Sequence, residues 1–456
     1  MNEMPSLMWF RRDLRLADNP AWAAATRAHR EVVALFVIDP KLIGRAPRRD
    51  ALLFAHLRAL HSQLADQGGA LKVCVGDPVE VVAREARGGK AVYWNDDASP
   101  YAHRRDEAVA AAVDGGVFRY PGLTVHAPGV VLTNSGTPHR VFTPFYKAWR
   151  SVPWNVWDEA GPARVGTDPG EGVPESPSPA MAAGERGAAA RLEKWLDGVD
   201  DYERTRNDLE PGSTSELSSD LHFGTIDARR IRAEVGEDTE GRAAFVRQIA
   251  WRDFSFQSIS VYPDAVSRPI RPEYGSIAWR HDADGFDAWR TGTTGYPIVD
   301  AAMRQLSTEG WMPNRVRMIV ASFLVKDLLI DWRRGERHFR RELIDGDLAQ
   351  NVINWQWVAG TGLDAAPYFR VFNPVTQGER HDPTGGYVRR WVPELAGIDG
   401  RAVHAPWKIP PLELAAAGVT LGVEYPAPIV DHAAARERTI DAYKRSVDNY
   451  RSSTDR

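Results

Sequence analysis

Cysteine is nearly absent from this sequence, with Cys74 the single example in 456 residues. One thiol excludes a disulfide framework and any zinc or iron–sulfur site built from several cysteines. No apolar run approaches the roughly 18–20 residues that a membrane-spanning helix needs. The first residues, MNEMPSLMWFRRDLRL, carry acid and arginine where a secretion signal has a basic and then an apolar segment. We therefore expect a cytoplasmic protein with no membrane partner.

An excess of one charge is also missing, because 57 Lys and Arg stand against 61 Asp and Glu. This balance argues against a protein that coats nucleic acid through bulk charge, so nucleic-acid binding would need local arginine clusters. The sequence has no GxGxxG after a strand, no P-loop, no HExxH, no GxSxG and no zinc-deaminase signature. It therefore shows no machinery for hydrolysis and no common nucleotide-binding loop.

Tryptophan, by contrast, is abundant. Nine of the 16 tryptophans lie between Trp251 and Trp407. This density indicates either a large aromatic core or side chains that stack on a chromophore or on bases.

The first 130 residues alternate short apolar runs with segments of helical spacing, which predicts a doubly wound, parallel α/β sheet. The predicted strands are Leu7–Phe10, Val32–Ile38, Leu71–Val75, Ala91–Trp94 and Val117–Tyr120. The predicted helices between them are Ala21–Ala28, Asp50–Gln67, Pro78–Arg87 and His103–Val113. Sheets of this type bind ligands at the carboxyl ends of their strands.

The segment from Gly161 to Ala190 is rich in Gly, Pro, Ala and Ser, which is typical of an interdomain linker. We predict an α/β domain over 1–130, a linker over 131–190 and an all-α domain over 191–456. The clearest helical patterns in the last part are Ala243–Ser258, Pro297–Thr308, Asn314–Asp331 and Ile429–Tyr443.

Two groups of residues share a face of a predicted helix. Gln248, Trp251 and Arg252 stand at positions i, i+3 and i+4, which places an amide, an indole and a guanidinium side by side. Asn314 and Met318 are likewise four residues apart, and an amide beside a thioether suits an aromatic ligand. Ordinary helix packing explains each group equally well.

Three further groups contain polar or aromatic side chains suited to a nucleotide. Asp345 and Asp347 flank a glycine and suit ribose hydroxyls or Arg317; with no histidine nearby, a metal is disfavoured. Trp355 and Trp357 are two residues apart and point to different sides of a helix. The hydroxyl-rich turn over 214–218 offers N–H and O–H groups to phosphates, although helix capping alone explains it. Together these groups indicate a bound flavin or nucleotide.

In their order along the chain these segments resemble the DNA photolyase/cryptochrome family, most closely the bacterial class I cyclobutane pyrimidine dimer (CPD) photolyases. The matching segments include LMWFRRDLRLADNP (7–20), TSELS (214–218), IAWRDF (249–254), TGYPIVDAAMRQL (294–306), GWMPNRVRM (310–318), LIDGDLAQN (343–351), NWQWVAGTG (354–362) and FRVFNP (369–374). The resemblance implies an N-terminal antenna domain and a helical FAD-binding domain. It also implies a monomeric enzyme, a carbon–carbon lyase, that repairs UV-damaged single- or double-stranded DNA. In that reaction excited, reduced FAD passes an electron to a flipped-out dimer.

The resemblance assigns roles to individual residues. For FAD it implies contacts from Tyr202, Thr214, Ser215, Glu216, Leu217, Ser218, Arg252, Arg317, Asp345, Gly346, Asp347 and Asn351, with Asn351 facing the reactive flavin nitrogen. For the lesion and its DNA it implies Arg206, Gln248, Trp251, Asn314, Met318, Trp357, Arg370 and Gln377. For electron transfer it implies a chain of Trp355, Trp332 and Trp279. For an antenna pigment it implies Phe36, Arg49, Asp97, Tyr101 and Arg105, a set that favours 8-hydroxy-deazaflavin over folate, FMN or no pigment.

Three positions depart from the CPD photolyase pattern. Gln248 replaces a glutamate, Pro313 replaces a histidine, and 352–354 read Val-Ile-Asn where relatives often have Asn-Gly-Gly. A blue-light-sensing cryptochrome without repair activity is therefore an alternative, against which the short tail after Tyr443 counts. A (6-4) photolyase is a weaker alternative, because neither Pro313 nor the region of Arg317 supplies its histidines. CPD repair is the favoured prediction.

Overall fold

The computed structural model describes residues 2–367 and 369–454. Its contacts divide the chain into two compact units. The first comprises Met1–Glu203, Ser215–Pro263 and Ile344–Ala349, and the second comprises Arg204–Thr214, Asp264–Leu343 and Gln350–Arg456. This division follows contact density and does not test where independent domains begin, so the boundaries at 130 and 190 stay a prediction.

The first unit contains a parallel sheet with strand order β3-β2-β1-β4-β5 and a short β6 beside β2. Its strands are β1 (Ser6–Phe10), β2 (Glu31–Ile38), β3 (Leu71–Val75), β4 (Val92–Asn95), β5 (Val117–Tyr120) and β6 (Arg164–Val165). This confirms the predicted doubly wound sheet. All of β1 is buried, with Met8 and Phe10 in the core on one face and Leu7 and Trp9 in the core on the other. Burial on both faces explains why the strands read as continuous apolar runs.

Ten helices accompany this sheet or follow it as far as residue 261 among the described residues. They are α1 (Pro20–Ala28), α2 (Pro47–Ala65), α3 (Pro78–Glu85), α4 (Pro100–Ala112), α5 (Phe142–Ser151), α6 (Gly184–Leu196), α7 (Tyr202–Thr205), α8 (Ser218–Phe223), α9 (Ala228–Val235) and α10 (Glu240–Val261). Helices α1, α3 and α4 begin at a proline, and the side chains of Asn19, Asp77 and Ser99 cap them. Proline suits the first turn because its missing N–H has no partner there.

The Gly- and Pro-rich segment is ordered, although its composition is typical of a flexible connection. Strand β6 pairs with β2, and Gly166 both donates to Val32 O at 3.0 Å and accepts from Ala70 N at 2.8 Å. Gly69 permits this approach, since a Cβ there would lie 2.3 Å from Val165 Cβ. Residues 164–166 of the predicted interdomain linker therefore pair with the sheet, and the linker bounds of 131–190 stay a prediction.

The second unit is mostly helical, as predicted. Its helices are α11 (Ala283–Thr291), α12 (Pro297–Glu309), α13 (Asn314–Ser322), α14 (Trp332–Glu342), α15 (Leu348–Ala359, whose first two residues belong to the first unit), α16 (Pro374–His381), α17 (Gly386–Trp391), α18 (Pro411–Ala416) and α19 (His432–Thr454). Short 3₁₀ segments connect several of them. A large core cluster includes the buried side chains of Trp289, Met303, Leu324, Trp332 and Trp355.

Two predicted helices have different bounds. The helix expected over Asn314–Asp331 ends at Ser322 and continues as a π-helical turn, Phe323–Asp327, before Leu329 adopts a positive φ of 52°. Buried Lys326 in this turn donates to Ala359 O at 3.1 Å, a tertiary contact that no local pattern encodes. The helix expected from Ile429 begins at His432, because Asp431 accepts from Ala434 N at 2.8 Å and so caps it.

His56 is a fully buried histidine within the first unit. Its Nδ1 accepts from Gly184 N at 2.9 Å, and its ring centroid lies 4.9 Å from that of Phe223. Burial is the main cause that lowers the pKa of His56 to about 3, and the charge of Arg191 lowers it further. The imidazole therefore stays neutral in the folded protein at a pH where the unfolded chain takes up a proton.

We predict that His56→Gln reduces the loss of stability in acid. A histidine with a depressed pKa contributes stability above its unfolded pKa of 6.5, and this stability is lost as pH falls towards the folded value of about 3. Glutamine keeps an acceptor for Gly184 but does not titrate. Between pH 7 and 5 the free energy of unfolding should therefore fall by about 2 kcal/mol less in the variant. Urea unfolding at the two pH values measures this, with exposed His103→Gln as control. Equal pH dependence in the two variants would contradict the prediction.

Candidate functional site

The strand order of the first unit reverses between β1 and β4, and charged residues follow both of these strands. Arg11, Arg12 and Asp13 come directly after β1, and Asp96 and Asp97 come directly after β4. In open α/β sheets this reversal point forms the crevice in which ligands bind. Positively and negatively charged side chains therefore both lie at the position where this fold usually binds its ligand.

Arg12 contacts three separate segments of the first unit. Its Nη1 lies 3.2 Å from Asp97 Oδ2, its Nη2 pairs with the Asp347 carboxylate, and its Nε donates to His222 O at 3.0 Å. Burial alone lowers the pKa of Arg12, but the two carboxylates outweigh burial and raise it above its ordinary value. Burial raises the pKa of Asp97, yet Arg12 and the Ser99 N–H outweigh it and keep that carboxyl ionised. The guanidinium therefore holds two carboxylates at once.

The residues predicted for the antenna lie at the same edge of the sheet. Tyr101 donates to Asp39, which follows β2, and Arg105 stands 5.7 Å from the Tyr101 ring and 4.8 Å from that of Trp9. Burial and Asp39 raise the pKa of Tyr101 to about 12. Phe36 is buried near the end of β2, and Arg49 lies in the first turn of α2. Tyr101, Arg105 and Asp97 thus form one cluster at this edge.

Several residues predicted for FAD lie in the first unit. Arg252 is buried and donates to Leu123 O and, at 3.1 Å, to Leu221 O, while its Nε has no hydrogen-bond partner among the described residues. Burial lowers the pKa of this guanidinium, with Asp347 opposing that effect. A buried cation with an unused N–H fits an anionic group such as a phosphate.

The hydroxyl-rich turn and the Asp-Gly-Asp loop add to this set. Glu216 has a positive φ of 55°, and Ser215 Oγ accepts from Leu217 N at 3.3 Å immediately before α8. Asp345 and Asp347 are both buried, and Asp347 N donates to Asp345 O at 2.6 Å. Tyr202 is buried against the rings of Trp195 and Phe245. Ser218 begins α8, and Gly346 separates the two aspartates. Hydroxyls, carboxylates and a guanidinium are the groups that a nucleotide cofactor requires.

Thr214, Arg317 and Asn351 belong to the second unit. Asn351 Nδ2 donates to Glu336 O at 3.0 Å and to Glu336 Oε1 at 3.1 Å, which uses both amide hydrogens. The Oδ1 of Asn351 is left to accept a hydrogen bond. Burial raises the pKa of Glu336, opposed by Arg340 and by the Asn351 amide. Arg317 Nε donates to Met312 O at 2.8 Å.

The three tryptophans of the predicted chain lie in or against the core of the second unit. Trp355 and Trp332 are 2% and 1% exposed, whereas Trp279 is partly exposed. The indole N–H groups of Trp355 and Trp332 have no partner in the part of the chain that the structure describes. The ring centroid of Trp355 lies 5.0 Å from that of Phe339 and 6.3 Å from that of Trp289. The ring centroids of Trp279 and Tyr443 are 6.1 Å apart. Trp279 is the most exposed of the three indoles.

The structure separates one predicted group and confirms another. Trp251 stacks on Phe142 with centroids 3.6 Å apart, whereas Arg252 points to Leu123 and Leu221, so these two side chains diverge. The expectation of an indole beside a guanidinium is therefore wrong, because adjacent helical residues face about 100° apart. Gln248 donates to Ala244 O at 3.3 Å.

Asn314 and Met318, in contrast, are in contact, with Nδ2 3.7 Å from Sδ. Trp357 is half-buried while Trp355 is buried, and both pack with the same core cluster. An amide, a thioether and a half-exposed indole of the second unit are thus available to a ligand.

The second unit also contains a cluster of basic side chains. Arg315 donates to Asn207 Oδ1 at 2.7 and 3.1 Å, and burial together with Arg380, Arg206 and Arg370 lowers its pKa. Burial, Arg315 and Arg380 likewise lower the pKa of His381 to about 4. We call Arg206, Arg315, Arg370, Arg380 and His381 the basic cluster.

Sequence reasoning selected Arg206 and Arg370 but missed Arg315, Arg380 and His381. Arg315 lies on α13 whereas Arg380 and His381 are adjacent on α16, so no local pattern joins the two helices. Gln377 lies on α16 three residues before Arg380, hence on the same side of that helix. The four arginines of the basic cluster supply the kind of local positive charge that nucleic-acid binding by an acidic protein needs, while the lowered pKa keeps His381 neutral at pH 7.

Within 2–367 and 369–454 no group of three His, Cys, Asp or Glu side chains is placed to hold a metal ion. No helix of the described residues is long and apolar enough to cross a bilayer.

Comparisons with known proteins identify the family. Residues 6–163 match the DNA photolyase family, and residues 245–445 match the FAD binding domain of DNA photolyase. The chain is 44% identical over 453 residues to the deoxyribodipyrimidine photo-lyase of Streptomyces griseus, covering 95% of this chain and 98% of that protein. The chain belongs to the DNA photolyase family, which confirms the resemblance and the fold.

Solved structures agree with this assignment. A bacterial class III photolyase from Agrobacterium tumefaciens is similar with a TM-score of 0.90 and 37% identity, over 98% of both chains. A cryptochrome from Synechocystis sp. PCC6803 is similar with a TM-score of 0.89 and 29% identity, over 97% of this chain and 100% of that one.

We predict that Gly335→Ala destabilises the second unit. A Cβ at Gly335 would lie 2.1 Å from Trp355 Cη2 and 2.6 Å from Leu324 Cδ2, both buried. Overpacking typically costs about 1–3 kcal/mol, more than the roughly 1 kcal/mol that alanine gains in a helix. Urea unfolding followed by tryptophan fluorescence measures the loss. Gly198→Ala is the control, since the described structure leaves open space there. A Gly335 variant as stable as the control would show that the contact is relieved at no cost.

Proposed function

We propose that the protein is a deoxyribodipyrimidine photo-lyase that binds FAD and uses light to repair cyclobutane pyrimidine dimers in DNA. The observation that carries the proposal is the full-length match to a protein of that name at 44% identity. When bound, FAD supplies the light absorption and the single electron that split the cyclobutane ring. The remaining tasks fall to the chain: holding the cofactor, holding the DNA, admitting the dimer and conducting electrons.

The FAD-binding residues fit the cofactor by their chemistry. Arg252, with its unused buried N–H, Tyr202 and the hydroxyls over 214–218 would hold the pyrophosphate region. Asp345 and Asp347 would accept from the ribityl and ring donors, and Arg317 belongs to the same proposed set of FAD-binding residues. Asn351 offers only its Oδ1, because Glu336 occupies its amide hydrogens. An acceptor at that position favours a protonated ring nitrogen, and therefore the reduced cofactor.

The DNA and the lesion are assigned to other side chains. The basic cluster would contact phosphates, which supports local binding by a chain of net charge −4. Trp251 and Trp357 would stack on a flipped-out dimer, with Asn314 and Met318 beneath it and Gln248 bonding its polar edge. Gln377 lies beside Arg380 on α16 and joins the DNA contacts. We propose that a monomer suffices, on single- or double-stranded DNA.

The antenna is proposed at the carboxyl edge of the sheet. Phe36, Arg49, Asp97, Tyr101 and Arg105 supply an apolar ring, two guanidiniums, a carboxylate and a phenol. This set supports 8-hydroxy-deazaflavin, whose ring carries both apolar faces and polar edges. Extraction of the bound pigment and its absorption spectrum distinguish it from folate, FMN or no pigment.

A second candidate function is a blue-light photoreceptor without repair activity. The observations that favour it are the similarity to the Synechocystis cryptochrome and the glutamine at position 248. The chain of Trp355, Trp332 and Trp279 is compatible with both functions.

The deciding experiment uses purified protein with its flavin reduced without oxygen. It is mixed with oligothymidine that contains cyclobutane dimers, under blue light and in a dark control. Recovery of thymine absorbance only in the light supports the repair proposal. No recovery, with normal light-driven reduction of the flavin, would refute it in favour of the photoreceptor.

We predict that Arg315→Ala weakens DNA binding by a similar factor whatever the DNA sequence. Loss of one phosphate contact should reduce the slope of log K against log[salt] by about 1. Fluorescence anisotropy with a labelled duplex at several salt concentrations measures both quantities. Exposed Arg436→Ala, on α19, should leave affinity and slope unchanged. A slope equal to that of the unsubstituted protein would remove Arg315 from the interface.

We predict that Trp355→Phe abolishes light-driven reduction of bound, oxidised FAD, because a phenyl ring is much harder to oxidise than an indole. Repair should persist once the flavin is reduced chemically. Absorbance spectroscopy during illumination measures the reduction. Trp391→Phe is the matched control, since that indole packs against the same core outside the proposed chain. Undiminished photoreduction in the Trp355 variant would exclude it from the chain.

A further inference from the structure

The guanidinium of Arg12 joins two loops that are far apart in the sequence. Asp97 follows β4, and Asp347 lies in the Ile344–Ala349 segment of the first unit. The side chain of Asp347 is 1% exposed and that of Asp97 is 11% exposed. Both carboxylates therefore depend on protein groups, rather than water, to balance their charge.

The two carboxylates also act on one another. The charge of Asp347 disfavours ionisation of Asp97, whereas the charge of Arg12 favours it. Arg12 therefore offsets the repulsion between the two carboxylates. Removal of the guanidinium would leave two like charges facing each other with little solvent. The Asp347 segment would then move to separate them, because two like charges repel strongly where little solvent screens them.

We propose that Arg12 is a positioning residue for FAD, acting through Asp347. It fixes the direction of the Asp347 carboxylate and so sets the loop that carries both aspartates assigned to the cofactor. The inference rests on the proposed function, since it takes Asp347 as an FAD contact. Because Arg12 also holds Asp97, the sheet edge assigned to the antenna and the loop assigned to FAD share one cation.

The test measures release of FAD from the purified holoprotein, followed by the rise in flavin fluorescence after dilution. Arg12→Gln should accelerate release by about 10- to 100-fold, the usual effect of removing a partner behind a binding residue. Arg12→Lys keeps the charge but cannot reach both carboxylates. Its rate of FAD release should therefore lie between those of the unsubstituted protein and the glutamine variant. The lysine variant also serves if the glutamine variant fails to fold.

A control and a rescue separate positioning from general destabilisation. Arg11→Gln removes the neighbouring buried guanidinium, which pairs with Asp106 and Asn95 O, and should lower the melting temperature without accelerating release. Adding Asp97→Asn to Arg12→Gln should slow release in part, because Asp347 no longer faces a second carboxylate although its bond to the guanidinium is still missing. If Arg12 served only the stability of the fold, the double variant would release FAD faster than Arg12→Gln alone.

Two outcomes would overturn the inference, and they are distinguishable. If the Arg12 and Arg11 variants release FAD equally, or Asp97→Asn gives no rescue, Arg12 does not position the cofactor and the proposed function stands. If the unsubstituted protein retains no FAD after reconstitution, the proposed function and this inference fall together.

Discussion

Three arginines within one short segment after β1, two of them buried and Arg12 partly buried, pair with carboxylates from distant parts of the chain, and the first unit depends on this pairing. Arg11 pairs with Asp106 of α4, Arg12 with Asp97 and Asp347, and Arg15 with Asp227 at 2.9 Å. A buried guanidinium without its partner would be strongly destabilising. The loops that carry those carboxylates are therefore held at the carboxyl edge of the sheet, where the crevice for ligands lies. One segment of sequence thus fixes both the fold and the approach to the site.

The sheet could be predicted from the sequence with strand bounds within a residue or so, because burial on both faces leaves continuous apolar runs. Of the helices in the first unit that begin at a proline, α3 was predicted to start there, whereas α1 and α4 begin one and three residues before the predicted Ala21 and His103. The π-turn at Phe323–Asp327 was not predictable, since it depends on Lys326 meeting a carbonyl 33 residues away. Local pattern identifies an element; its distortions come from tertiary partners.

In the candidate site, too, some residues could be predicted from local sequence pattern and others could not. Asn314 with Met318 could be predicted from helical spacing, and the structure places them in contact. The basic cluster could be predicted only in part, because Arg315 and Arg380 contribute through proximity that the sequence order conceals. Gly335 shows the limit most clearly. Its lack of a side chain makes room for Trp355, and nothing in the sequence around a glycine states which ring it must accommodate.

The pairing of β6 with β2 has a consequence for how the chain is cleaved. A protease must draw a stretch of backbone into its own active site in extended form, with the N–H and C=O groups free to bind the enzyme. The groups of Gly166 are already bound to Val32 and Ala70 within the sheet. The Gly- and Pro-rich segment, which composition alone marks as the natural place to cut, is therefore protected there for as long as the sheet remains folded.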